Sequence, residues 1–149
     1  MILLAAVLAL TAPRTIFADG AWASFDRGVR CDAATRAERT ATERTMQAHV
    51  AFLFADGRSQ FAARLSRLPD PGATVVLTVG EQSFLLVATN GFAWSRGPAQ
   101  EAAIISAART NGSMRVEARA QRGGRFVDRY SLEGAPGALD AAAACAAKR

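Results

Sequence analysis

Alternation of apolar and polar positions dominates the chain from residue 48 onward. In "AHVAFLFADG" the run Val50–Phe54 has strong β character and stops at Asp56-Gly57, a turn dipeptide. In "SQFAARLSRL", Phe61, Ala63 and Leu65 fall on one side, with Gln60, Arg64 and Ser66 on the other. That is the period-two signature of a strand with one wet face. "PDPG" at 69–72 halts any regular element. Val75–Val79 and Phe84–Val87, separated by "GEQS", predict a hairpin. "SMRVEARAQ" sets Met114, Val116, Ala118 and Ala120 against Arg115, Glu117 and Arg119. "RFVDRYSLEG" alternates again after "RGG", so 113–133 predicts a second hairpin. Nearer the N-terminus, Trp22–Phe25 predicts a short strand, then a turn at Asp26–Gly28 and a second short strand ending at Cys31. The polar stretch 32–47, "DAATRAERTATERTMQ", reads as either a solvent-facing helix or a long loop, its threonines weakening the helix.

Two stretches carry helical signals. In 96–112, Gly97 suits an N-cap and Pro98 the first helical position, and Gln100 stands where a side chain can reach back to the cap. Glu101 and Arg109 complement the two ends of the dipole, and Asn111-Gly112 closes the helix. Ile104, Ile105 and Ala108 form its expected buried stripe. The alanine-rich tail predicts a short helix from about Pro136 to Ala147 with Leu139 as its one large anchor. The elements add up to a mainly β fold with two helices (α+β). A small antiparallel sandwich or a curved barrel-like sheet is expected, with one central helix and a short C-terminal helix.

The N-terminus changes the expected compartment. Ile2–Ala12 is apolar apart from Thr11 and is too short to span a bilayer, which takes about 20 residues. It fits the apolar region of a secretory signal peptide, followed by the helix breaker Pro13 and a cut at Ala18–Asp19. The expected organisation is therefore a signal peptide over 1–18 and a single β-rich domain over 19–149, periplasmic or secreted. No later segment is long enough to cross a membrane. In an oxidising compartment the only two cysteines, Cys31 and Cys145, can pair and tie nearly the whole mature domain end to end. The alternative is two buried free thiols.

Composition narrows function mostly by exclusion. At 149 residues, 50% hydrophobic and 21% charged, the chain suits one folded domain. Its net charge is +5, but the basic residues, all arginine except Lys148, are scattered among acids without a run. Patches rather than averages make a nucleic-acid footprint, so none is expected. The sequence has no Gly-x-Ser-x-Gly elbow, P-loop or G-x-G-x-x-G. The lone His49 reads as a strand-edge residue. Asp128, Glu133 and Asp140 are close in sequence without implying a catalytic pair. Two distant cysteines and one histidine do not make a zinc set. No catalytic residue, metal or cofactor is expected. The alternative, a small hydrolase-like enzyme, would need an unrecognised site. The best candidate for binding is "NGFAWSRGP", where Phe92, Trp94 and Arg96 alternate beside a helix start. They could take an anionic or sugar ligand by stacking and backbone N–H groups. Alternatively, Phe92 and Trp94 simply cover a sheet edge under the helix.

The chain also resembles the invasion-associated locus B family of exported alphaproteobacterial proteins. The likeness rests on Trp22 and Cys31 soon after the apolar leader, on "GATVVLTVGEQSFLLVATNG", and on "AQEAAIISAARTNG" leading to "MRVEARA". It rests also on the ending "YSLEGAPGALDAAAAC", where Tyr130-Ser131-Leu132-Glu133-Gly134 precedes a short helix. The resemblance implies a periplasmic or surface-associated protein without established catalysis. Its expected partner is another envelope protein or a host surface component, with anionic lipid or glycan as the alternative. Many relatives carry an extra cysteine soon after the first, and this chain does not.

Overall fold

The computed structural model describes residues 12–39 and 46–149. Ten strands and two helices follow one another. They are β1 (Arg14–Asp19), β2 (Trp22–Asp26), β3 (Cys31–Arg36), β4 (His49–Ala55), β5 (Arg58–Arg64), β6 (Val75–Val79), β7 (Gln82–Thr89) and β8 (Phe92–Trp94), then α1 (Pro98–Thr110), β9 (Ser113–Arg119), β10 (Arg125–Ser131) and α2 (Ala135–Ala147). All pairings are antiparallel, in the single order β1-β2-β3-β4-β5-β8-β7-β6-β9-β10. The sandwich-or-barrel expectation resolves into one open, curled sheet. Among the described residues no helix is long and apolar enough to cross a membrane.

Turn chemistry sets the hairpins. Asp56-Gly57 and Asn90-Gly91 occupy positive φ at both residues, 52° and 70° in the first pair, 49° and 80° in the second. Two such residues give the tight connection whose twist matches paired strands, joining β4 to β5 and β7 to β8. Alternation then sorts the faces. Val50 and Phe52, Phe61 and Ala63, Val75, Leu77 and Val79, and Met114, Val116 and Ala118 all point into the core. Phe52 faces Phe61 across the β4–β5 register and meets it edge-on at 5.3 Å, with Trp22 5.9 Å beyond. The far edge rolls back over this core. Asp128 on β10 accepts the Ser66 N–H at 3.0 Å, and the Glu38 N–H reaches the Arg129 carbonyl at 2.9 Å. Burial raises the Asp128 pKa and pushes the Tyr130 phenol well above its usual range.

Helix α2 packs against β1 to β4 and α1 against β5 to β7. The α2 surface is nearly all alanine, and its small side chains permit backbone-to-backbone docking. Ala135, Ala138, Leu139 and Ala142 are buried, and Ser24 Oγ donates to the Ala138 carbonyl at 2.6 Å. A Cβ at Gly134 would collide with the Asp19 carbonyl, and one at Gly137 with the Phe17 ring. Trp22 Nε1 donates to the Ser131 carbonyl at 2.9 Å just ahead of the helix. The Cys31–Cys145 disulfide, with Cα atoms 6.1 Å apart, fixes its far end.

Several elements depart from the sequence expectation. A strand starts at Cys31 instead of ending there. The residues before it form a turn, closed by the Arg27 N–H on the Arg30 carbonyl at 2.9 Å. Asp32 to Arg36 are neither helix nor loop, because their backbone groups pair with β2 and β4. Residues 40–45 lie outside the described residues. In α1, Gln100 accepts the N–H of Arg96 at 2.6 Å, and Gly97 has no side-chain cap. Glu101 turns inward, and the buried stripe runs Glu101, Ile104, Ala107 and Ala108, with Ile105 half-buried. The Ala18–Asp19 bond lies inside β1, so a cut there would remove most of that strand. Residues 1–11 lie outside the described residues.

Two outcomes follow. On the chain-entropy model a ~100-residue loop contributes about 4.7 kcal/mol, so Cys145→Ala is expected to lose about 2–5 kcal/mol in urea denaturation. Equal melting of the oxidised and reduced protein would contradict this. A chain beginning at Asp19 loses Phe17 from α2 and is expected to be about 1–2 kcal/mol less stable than one beginning at Pro13. Indistinguishable melting curves for the two would show that β1 adds nothing.

Candidate functional site

The strand register lays out the solvent-facing side of the sheet row by row. One row runs Ala34, Ala51, Ala62, Trp94 and Val87 across β3, β4, β5, β8 and β7. The next runs Arg36, His49, Arg64, Phe92 and Thr89 across the same strands. A third joins Leu85, Val76, Glu117 and Val127 across β7, β6, β9 and β10. The core-facing residue between Phe92 and Trp94 is Ala93, fully buried, so both aromatic side chains are presented outward. Their rings stack at 6.3 Å with 20° between planes.

The arginine beside Phe92 comes from a different strand than expected. The Arg64 guanidinium lies 4.9 Å over the Phe92 ring, and Arg64 Nη2 donates to Met46 Sδ at 3.3 Å. Arg96 instead turns to β7, where Nε donates to the Leu85 carbonyl at 3.0 Å and Nη2 to that of Leu86 at 3.4 Å. Phe92 and Trp94 therefore share a surface, while Arg96 is fixed beside it on backbone carbonyls. The alternation Phe61, Ala63, Leu65 already placed Arg64 on a wet face. Its partner was hidden, because β5 pairs with β8 across an intervening β6–β7 hairpin.

This face concentrates exposed apolar side chains. Leu85 and Val87 are 50% and 46% exposed, and Phe92, Met46 and Leu68 add to them. Leu68 lies against Gly91, next to Phe92. Among the described residues, the other large exposed hydrophobics are Val127 on β10 and Val29, which lies on the β2–β3 turn. Soluble surfaces scatter such side chains singly, whereas clustering marks an interaction face.

His49 sits in the second row between Arg36 and Arg64. Burial lowers its pKa most, the two guanidiniums lower it further, and a hydrogen bond with the Gln47 backbone opposes them. The arrangement favours a neutral imidazole on this face. Elsewhere, Asp26, Cys31 and Cys145 bring three potential metal ligands within 4.8 Å. That donor set is already engaged. The sulfurs are bonded to each other, and the Asp26 carboxylate takes Arg14 and Arg149. A hydrogen bond from Gly28 N, aided by those arginines, keeps its pKa low.

The fold is shared with the crystal structure of invasion associated protein B from Bartonella henselae. The TM-score is 0.60 over 87% of this chain and 94% of that one, at 14% sequence identity. No protein-family model and no curated protein sequence matches the chain.

Because its folded pKa lies below the unfolded value of 6.5, His49 contributes stability that is present above that value and lost as pH falls through it. The stability of the wild type relative to His49→Gln is expected to decline between pH 7.5 and pH 5, read as melting temperature. A constant difference across that window would show that burial and the two arginines do not lower the histidine's pKa.

Proposed function

We propose that this chain is an exported, non-enzymatic binding domain of the bacterial envelope, a distant relative of the invasion-associated locus B proteins. In this reading it docks a partner protein through the outer face of β5, β8 and β7. The observation that carries the reading is the clustering of Leu85, Val87 and Phe92 beside the Arg64–Phe92 stack. An apolar centre with aromatic and arginine groups is the composition of the energetically dominant part of protein–protein interfaces. Export is supported by the leader-like run at 2–12 and by the disulfide, a bond that persists in oxidising compartments. The shared fold with the Bartonella protein supports the kinship.

A photo-crosslinking residue at Val87 in the native host tests both halves, with Val29 as the control. A discrete adduct with one envelope protein, formed at Val87 alone and abolished by Leu85→Asp, is the expected result. Recovery of the chain in the cytosolic fraction, or identical adducts from both positions, would contradict the reading.

A further inference from the structure

A second surface lies at the other side of β5. The β4–β5 hairpin and the length of α1 enclose an open cleft of about 1160 Å³, above the ~300–1,000 Å³ typical of small-molecule sites. Its floor is apolar, with Leu53, Ala55, Ala102 and Ile105, and three arginines border it, Arg30, Arg58 and Arg109.

Sheet pairing is interrupted here. Phe61 donates its N–H to Glu101 Oε2 at 2.8 Å and accepts the Ser95 N–H at 3.1 Å, so its backbone groups point away from β4. Ser59, two residues earlier, presents its N–H and carbonyl on the same side. Among the described residues no strand lies opposite, because β8 ends at Trp94 across from Ala62, and the chain turns into α1 at Gly97, φ 115°. Ser59 is thus an open edge at the cleft wall. Glu101, only 3% exposed, substitutes for a strand at Phe61 with one oxygen, and its other oxygen has no partner among the described residues. A buried carboxylate oxygen without a donor is costly.

We propose that this cleft binds an extended acidic peptide segment of a partner protein. The peptide main chain pairs with Ser59, and one of its N–H groups supplies the donor that Glu101 Oε1 lacks. Its carboxylates meet Arg58, which has no ion pair among the described residues, and then Arg30 and Arg109. The last two hold Asp32 at 4.0 Å and Asp140 at 2.8 Å. The Arg109–Asp140 pair is open to water on both sides, 37% and 69% exposed, and is weak enough to exchange. Arg30 is 47% exposed, and if it turns to the peptide the buried Asp32 carboxylate keeps its contact with Arg27. Adding a strand to a short open edge, with charge selecting the side chains, is an established mode of peptide capture.

The test uses an N-acetylated, C-amidated hexapeptide alternating glutamate and valine, titrated into the isotopically labelled, disulfide-bonded protein. Saturable amide shifts at Gly57, Ser59, Gly97 and Ala102, weakened by salt, are expected. The lysine–valine counterpart should give none. Arg58→Glu is expected to weaken binding by about tenfold, the scale of one charge-assisted contact. Ser59→Pro removes the open N–H and should abolish binding. Should that variant misfold, N-methylation of the peptide at alternate residues removes the same pairing and should abolish binding in one register only. No shifts at millimolar peptide, equal response to the lysine peptide, or shifts confined to Leu85, Val87 and Phe92 would overturn the proposal.

Discussion

The fold depends on how an almost featureless helix is held in the mouth of a curled sheet. Alanine side chains bury little apolar area, so α2 gains little from transfer out of water. What they permit is close approach, and polar or covalent contacts then secure it at several points. The Ala21 N–H reaches the Glu133 carbonyl at 2.9 Å, Ser24 Oγ reaches Ala138, and the disulfide closes the last turn. Under this cover lies Trp22, which would face water without the helix, and Leu139 is the helix's own large side chain buried against the strands. The cysteine near the C-terminus is therefore a structural tie, joining the end of the chain to the strand that begins its third element.

The same logic explains which features were legible in the sequence. Turn dipeptides with positive φ and strict alternation located β4 through β7 and the β9–β10 hairpin, because local backbone preference and face sorting act over a few residues. Proline at 98 and the Asn111-Gly112 stop located α1. The stretch beginning at Cys31 carries no such local signal. Its alanines, threonine and arginine form a strand because β2 and β4 flank it, and neighbours can impose what propensity does not. Glu101 looked like a dipole complement, yet the unpaired Phe61 N–H draws it inward. Arg64 was visible as an outward residue, but its meeting with Phe92 depends on the order of strands, a non-local property.

β5 is the element on which both surfaces depend. Its last three residues are paired on both sides, by β4 and β8, and this rigid part presents Arg64 to Phe92. Its first residues are paired only with β4. The transition falls at Phe61, where a carboxylate and the Ser95 backbone stand in for a strand. A buried Phe61 side chain anchors that transition against Phe52. The ladder that carries the aromatic face therefore does not rely on the edge that opens into the cleft, and each surface can be altered without dismantling the other. Glu101 is the hinge of this arrangement in a physical sense. Apolar packing alone would leave the Phe61 N–H unsatisfied, and a full strand in its place would close the edge at Ser59. One inward carboxylate meets the first need without imposing the second, and it leaves one buried oxygen without a donor among the described residues.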